Sequence, residues 1–285
     1  MTVKIDGKAV AAGIRGELKV EADVIKKETG EEICLAVVLV GDNPASHVYV
    51  RLKEKACKEA GFISIQHTLP KEISMVELLA LIENLNNDPK VNGILVQLPL
   101  PDHLDESKVL DRISVDKDVD GFHPLNVGLL SQKLAKLMPC TPAGCVELLD
   151  RYHIPIEGSH AVVVGRSNIV GKPVAVMLVH RNATVTICHS RSKNIAKITS
   201  QADILVAAIG KPHFITRDMV KEGAAVIDVG TTKVGSNIVG DVDYENVFGK
   251  AGWITPVPGG VGPMTIAMLM YNTMMAYKIQ RKLLV

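Results

Sequence analysis

Tyr49 and Lys53 stand four residues apart in the segment VGDNPASHVYVRLKEKACKEAG at 40–61, so on a helix they share one face. Leu52 and Ala56 beside them are apolar, whereas Glu54, Lys55, Lys58 and Glu59 read as the outward side. A lysine held against an apolar face and an aromatic ring is partly desolvated, and its pKa falls toward the range useful for proton transfer. The same spacing also describes an ordinary surface lysine beside a core tyrosine. Gln97 ends the apolar run GILVQL at 93–98, just before the rigid Pro99-Leu100-Pro101. Ligands of open α/β sheets collect at such strand ends. Asp116, Asp118 and Asp120 lead into Gly121, but the glycine is misplaced for a calcium loop and no glutamate closes it, so no metal site is expected. Residues 255–265, TPVPGGVGPMT, form a rigid loop that opens a helix, either a structural hinge or the rim of a ligand site.

A second set of residues is suited to phosphate. Residues 161–171 read AVVVGRSNIVG, a buried strand running into a glycine turn, and Lys172-Pro173 opens a helix. Gly165 permits close backbone approach, and the helix N-terminus offers N–H groups and dipole to a pyrophosphate. The spacing is G-x-x-x-x-x-G rather than G-x-G-x-x-G, so a ligand-free βα turn is the alternative. NAD-specific folds place an acidic residue about 20 positions on, for the ribose 2′-hydroxyl. No Asp or Glu occurs from Arg166 to Ala202, whereas Arg166, Lys172, Arg181, Arg191, Lys193 and Lys197 do. Ser190 and Arg191, at the end of the next strand, can bind a 2′-phosphate that a carboxylate would repel. NADP is therefore favoured over NAD; a solvated basic loop is the plainer alternative.

The elements that must position these residues alternate between strand and helix, which implies a largely parallel sheet covered by helices. The spacing predicts helices at 8–29, from Asn43-Pro44 to Gly61, at 74–86 and at 141–152, and strands at 33–40, 62–68 and 93–98. Further strands near 161, 184–188, 203–208 and 224–229 have a Rossmann-like rhythm. A Met-rich helix from Pro263 to about Lys282 is expected to return and pack on the first domain. The fold class is α/β with two domains: an N-terminal α/β substrate domain of residues 1–140 plus 263–285, and a Rossmann-like NADP-binding domain of residues 141–262. Hydrophobic residues make up 47% of the 285, and the net charge is +1, which supports a sizeable core and argues against a broad nucleic-acid face. The five cysteines lack metal-ligand spacing and suit a reduced interior. No apolar signal core or 18-residue apolar run is present, so a cytoplasmic protein without a membrane span is expected.

Taken in order, these segments resemble the bifunctional methylenetetrahydrofolate dehydrogenase/methenyltetrahydrofolate cyclohydrolase family. The matching blocks are VGDNPASHVYVRLK at 40–53, GILVQLPLP at 93–101, DKDVDGFHPLNVG at 116–128, PCTPAG at 139–144, VVVGRSNIVGKP at 162–173, TVTICHS at 184–190, ADILVAAIGKP at 202–212, VIDVG at 226–230, VGDVDY at 239–244 and TPVPGGVGPMT at 255–265. The resemblance implies NADP-dependent oxidation of 5,10-methylenetetrahydrofolate to the methenyl cation and its reversible hydrolysis to 10-formyltetrahydrofolate, in one cleft between the two domains. It implies that Lys53 is the catalytic lysine of hydration and ring opening, that Tyr49 lines the pterin, that Gln97 orients Lys53 and that Asp120 hydrogen-bonds the pterin. It places Pro258, Gly259 and Gly260 on the folate side. It places Gly165, Arg166, Ser167, Ser190, Arg191 and Thr231 around NADP. Thr231-Thr232 departs from the Ile-Asn common in the family at this cofactor border. The resemblance also implies a homodimer through the NADP domains. A shikimate-type dehydrogenase would not need the PGGVGPMT loop, and a non-catalytic NADP sensor would not need the set Tyr49, Lys53, Gln97 and Asp120.

Overall fold

The computed structural model describes residues 1–235 and 237–283. In chain order its elements begin with β1 (Val3–Lys4), α1 (Gly7–Thr29), β2 (Cys34–Val40), α2 (Pro44–Glu59), β3 (Ile63–Leu69), α3 (Met75–Asn87), β4 (Gly93–Val96), α4 (Glu106–Arg112), α5 (Pro124–Ser131) and α6 (Cys140–Arg151). They continue with β5 (His160–Val164), α7 (Gly171–His180), β6 (Thr184–Cys188), α8 (Ile195–Thr199), β7 (Ile204–Ala207), β8 (Ala225–Asp228), β9 (Thr232–Val234), β10 (Asn237–Val239), α9 (Tyr244–Phe248), β11 (Trp253–Ile254) and α10 (Val261–Gln280). The chain divides into two compact units, Met1–Ala11 with Thr141–Thr265, and Ala12–Cys140 with Ile266 onward.

The unit built on Ala12–Cys140 carries a parallel three-stranded sheet in the order β3-β2-β4. β2 lies in the middle and every one of its residues is buried. That is why its sequence, CLAVVLV, is uniformly apolar rather than alternating. β3 is an edge strand, and none of its residues is buried. Asn43 accepts the Ser46 N–H at 3.3 Å ahead of Pro44, the start signal of α2. Ser74 and Glu77 make a reciprocal capping box at the head of α3. Gly93 opens β4 because a Cβ there would come 2.5 Å from a Val119 methyl carbon. The Met-rich helix α10 supplies buried Met268, Met270 and Met274 to the same unit. Lys278 pairs with Glu21, and Arg281 pairs with Glu31.

The other unit holds a six-stranded parallel sheet in the order β1-β11-β8-β7-β5-β6. Val162, Val164, Leu205, Val226 and Ile254 form part of its core. By their contacts residues 1–11 group with this unit, whereas the sequence expectation assigns them to the 1–140 domain. β1 pairs with β11, Val3 opposite Trp253, and a two-residue strand is too short to show a period. The short hairpin β9-β10 is likewise absent from the sequence expectations. All five cysteines are buried and free. Among the described residues, no helix is long and apolar enough to cross a membrane, and no group of three or more His, Cys, Asp or Glu residues is placed to hold a metal ion.

Candidate active site

Lys53 lies on α2, and its ammonium donates to the Gln97 Oε1 at 2.8 Å. Gln97 stands one residue beyond β4, where its N–H still bonds the Val38 carbonyl. Its own side-chain amide donates to the Leu98 carbonyl at 2.7 Å, which fixes the amide orientation and leaves the oxygen for the lysine. Burial lowers the Lys53 pKa, opposed by the negative charge of Asp120. Burial pushes the Asp120 carboxyl up to about 6, opposed by Lys53 and reinforced by Asp118. The two groups thus influence each other, and for both of them desolvation outweighs their attraction. Ala56 is buried as the helix pattern requires, but Leu52 is 45% exposed, so the apolar face around Lys53 is narrower than the spacing implies. Tyr49 is 46% exposed one turn ahead of Lys53 on the same face.

The three aspartates of the DKDVDG run have separate fates. Asp116 is exposed. Asp118 is buried, and its carboxylate accepts the N–H groups of Phe122 and His123 and the Asn126 side-chain amide at 2.8 Å. It is therefore spent on holding the turn. Among the described residues none hydrogen-bonds the Asp120 carboxylate, so both its oxygens can take donors from a ligand. Lys117 is buried with its ammonium on the Leu85 and Asp88 carbonyls, where it caps α3 and anchors this run. A parallel bridge of Asp118 to Ile94 lays the run beside β4, which is how Asp120 comes near Gln97 and Lys53.

Two further residues stand on this site: Cys140, present in the sequence only as part of the block PCTPAG, and Asn272, which carries no signal in the sequence. The Cys140 thiol is pushed well above its ordinary range by burial, then by Asp120, and it also feels Lys53. Asn272 on α10 donates to the Val119 and Met138 carbonyls at 2.8 and 2.7 Å and clamps both flanks of the site. A lone buried cysteine and an asparagine inside an apolar helix look like packing until the fold brings them beside Asp120.

In the other unit, Gly165 follows β5 with φ +134°, and a Cβ there would lie 2.2 Å from the Ala208 carbonyl oxygen. At Gly171 a Cβ would lie 2.4 Å from the Gly165 oxygen. Only glycine permits this cradle at the head of α7. Ser167 caps the turn, its oxygen accepting the N–H groups of Val170 and Gly171 at 3.1 and 3.2 Å, and its own proton stays available to donate. Arg166 is exposed. Ser190 and Arg191 are exposed in a turn beyond β6, held by His189, whose Nδ1 accepts the Arg191 N–H. Thr231 is exposed just beyond β8. The strand order reverses at β5, with β6 on one side and β7 on the other, so all of these residues lie at the edge where doubly wound sheets hold dinucleotides. A glycine cradle, a helix N-terminus and an acid-free basic segment fit a phosphorylated dinucleotide. Pro258–Gly260 lie on the loop before α10, where the Gly259 carbonyl accepts the Lys8 N–H and a Cβ on Gly7 would strike the Gly260 oxygen.

A model of the tetrahydrofolate dehydrogenase/cyclohydrolase catalytic domain matches residues 5–120, and a model of the NAD(P)-binding domain of the same family matches residues 139–281. The chain is 60% identical over 273 residues to the bifunctional protein FolD of Moorella thermoacetica, covering 95% of this chain and 97% of the relative. The crystal structure of the bifunctional FolD methylenetetrahydrofolate dehydrogenase/cyclohydrolase from Campylobacter jejuni superposes with a TM-score of 0.96 at 52% identity, covering 98% of this chain and 99% of that one. The Trypanosoma brucei methylenetetrahydrofolate dehydrogenase-cyclohydrolase, complexed with NADP cofactor and inhibitor, gives 0.93 at 40% identity over 100% and 99% of the two chains. Two domain models in sequence order and full-length identity of this degree place the chain in the tetrahydrofolate dehydrogenase/cyclohydrolase family.

Proposed function

We propose that this chain carries out both reactions of its family: NADP-dependent oxidation of 5,10-methylenetetrahydrofolate to the 5,10-methenyl form, and reversible hydrolysis of that form to 10-formyltetrahydrofolate. When bound, NADP accepts the hydride. The observation that carries the hydrolytic half is the part-buried Lys53 Nζ at 2.8 Å from the Gln97 Oε1. The methenyl carbon is already electrophilic, so adding water to it calls mainly for proton management. Water bonds to that carbon and gives up one proton. The hydroxyl then loses its second proton as the bond from carbon to N5 breaks, and N5 takes one up. One proton is released overall.

A lysine whose pKa burial has lowered can accept and return these protons without a metal. Gln97 aims the amine, and Asp120 offers acceptor oxygens to the N–H edge of the pterin. Tyr49 presents an exposed ring to the pterin face. Pro258, Gly259 and Gly260 serve the folate side. On the cofactor side, the Gly165–Ser167 turn and the N-terminus of α7 hold the pyrophosphate, Thr231 borders the nicotinamide half, Arg191 and Arg166 neutralise the 2′-phosphate, and the Ser190 hydroxyl donates a hydrogen bond to it. The hydride step needs alignment more than acid–base help, which is why no dyad is required there. A homodimer acting in the cytoplasm completes this reading.

Lys53→Met is expected to abolish decay of the methenyl absorbance in the near ultraviolet while hydride transfer survives in part. Full cyclohydrolase activity in that variant would remove Lys53 from the mechanism. Catalytic efficiency with NADP is expected to exceed that with NAD at least tenfold, and a preference for NAD would overturn the assignment of Ser190 and Arg191.

A further inference from the structure

Two carboxylates in the sheet unit lie outside every role given above. Asp228 is the last residue of β8 and is 3% exposed; Asp241, just past β10, is 0% exposed. Burying a carboxylate is costly unless donors surround it. Here the donors are backbone. The Asp228 Oδ1 accepts the N–H groups of Gly230 and Asp241, both at 2.9 Å, and its Oδ2 accepts that of Val242 at 2.9 Å. The Asp241 Oδ2 accepts Ile209 at 2.7 Å and Gly210 at 3.1 Å, and its Oδ1 accepts Lys211 at 2.7 Å. The Thr255 hydroxyl accepts the Asp228 N–H and fixes the origin of the chain of contacts.

Of these six backbone donors, Ile209, Gly210 and Lys211 lie in the loop that leaves β7, Gly230 in the loop that leaves β8, and Asp241 and Val242 just past β10. Asp228 closes both feet of the β9-β10 hairpin, and Asp241 reaches from there to the 209–211 loop. That loop begins at Ala208, whose carbonyl abuts Gly165 in the pyrophosphate turn. The fit is tight: a Cβ on Gly240 would strike the Asp228 Oδ2 at 1.9 Å, and one on Gly230 would come 2.4 Å from the Asp241 carboxyl carbon. In this strand order the adenosine half of a dinucleotide belongs beside β6, and the nicotinamide half beside β7 and β8. The two carboxylates thus hold the loops of the nicotinamide side alone.

We propose that Asp228 and Asp241 are positioning residues for the nicotinamide half of the cofactor: they fix the loops at 209–211 and 229–231 as one floor and do not touch the ligand. The proposal rests on the assignment of NADP to this edge. Mutual repulsion across the pair adds to burial in raising the Asp228 carboxyl to about 6, so the pair is held at an electrostatic cost and its donors are what keep it in place.

The test compares two ligands and one cofactor-independent activity. In Asp241→Asn, an amide N–H₂ replaces one acceptor and faces backbone donors. The expected result is a Kd for NADPH at least tenfold weaker, with 2′,5′-ADP bound within twofold of wild type and cyclohydrolase turnover retained. Asp228→Asn is expected to behave the same way and carries the test if Asp241→Asn does not fold. NADPH binding unchanged in a folded variant overturns the proposal. So does a parallel loss of 2′,5′-ADP binding, which marks a general structural role. A wild-type protein that binds neither ligand instead overturns the cofactor assignment itself.

Discussion

Lys53 and Asp120 carry opposite charges, yet burial moves the pKa of each toward the neutral form, and their mutual attraction only limits the shift. The sign of that attraction gives a direct check. Lys53 lowers the Asp120 pKa, so Lys53→Met is expected to raise it above about 6, and a carboxyl chemical-shift titration measures this. An unchanged value would show that the two groups do not feel each other. Sequence spacing identified Tyr49 and Lys53 as sharing a face but could not separate a reactive lysine from a surface one. That distinction depends on Gln97 and Asp120, 44 and 67 positions further on, and on the burial they share. The DKDVDG run shows the same limit. Nothing in its three aspartates says that Asp118 is spent on Phe122, His123 and Asn126 while Asp120 is not.

At the level of elements, the Gly165 turn is where backbone geometry and ligand chemistry coincide. Gly165→Ala would place a Cβ 2.2 Å from the Ala208 oxygen at φ +134°. Relief requires the β5 and β7 loops to separate, at a cost of about 2 kcal/mol or more. The expected outcome is a KM for NADP raised at least tenfold with a lowered Tm, whereas cyclohydrolase activity at a temperature where the variant is folded is retained. An unchanged KM would detach the turn from the cofactor. The long or fully buried elements were legible because their pattern repeats: β2 as an unbroken apolar run, α3 through its Ser74–Glu77 box, α7 through the glycine turn before it. Short elements were not, since β1, β11 and the β9-β10 hairpin have two or three residues each and too little length for a period.

For the whole molecule, ligand binding and stability are linked. A cofactor that binds the folded state only stabilises it by about 2.7 kcal/mol at a hundred times its Kd. NADPH is therefore expected to raise the Tm, and NADH at the same concentration to raise it less; equal shifts would deny a role to the 2′-phosphate. The sequence by itself determined the α/β class, the glycine turn after β5, the absence of acids beyond it and, through ten blocks in order, the family. Those properties are local: glycine spacing, missing acids and apolar runs act within a few residues of where they are written. Only the tertiary structure decided that β1 joins the six-stranded sheet, that Asn272 and Cys140 stand beside Asp120, and that Asp228 and Asp241 tie the loops of β7 and β8 together. Each of those depends on burial and on partners distant in sequence, and both are settled by packing.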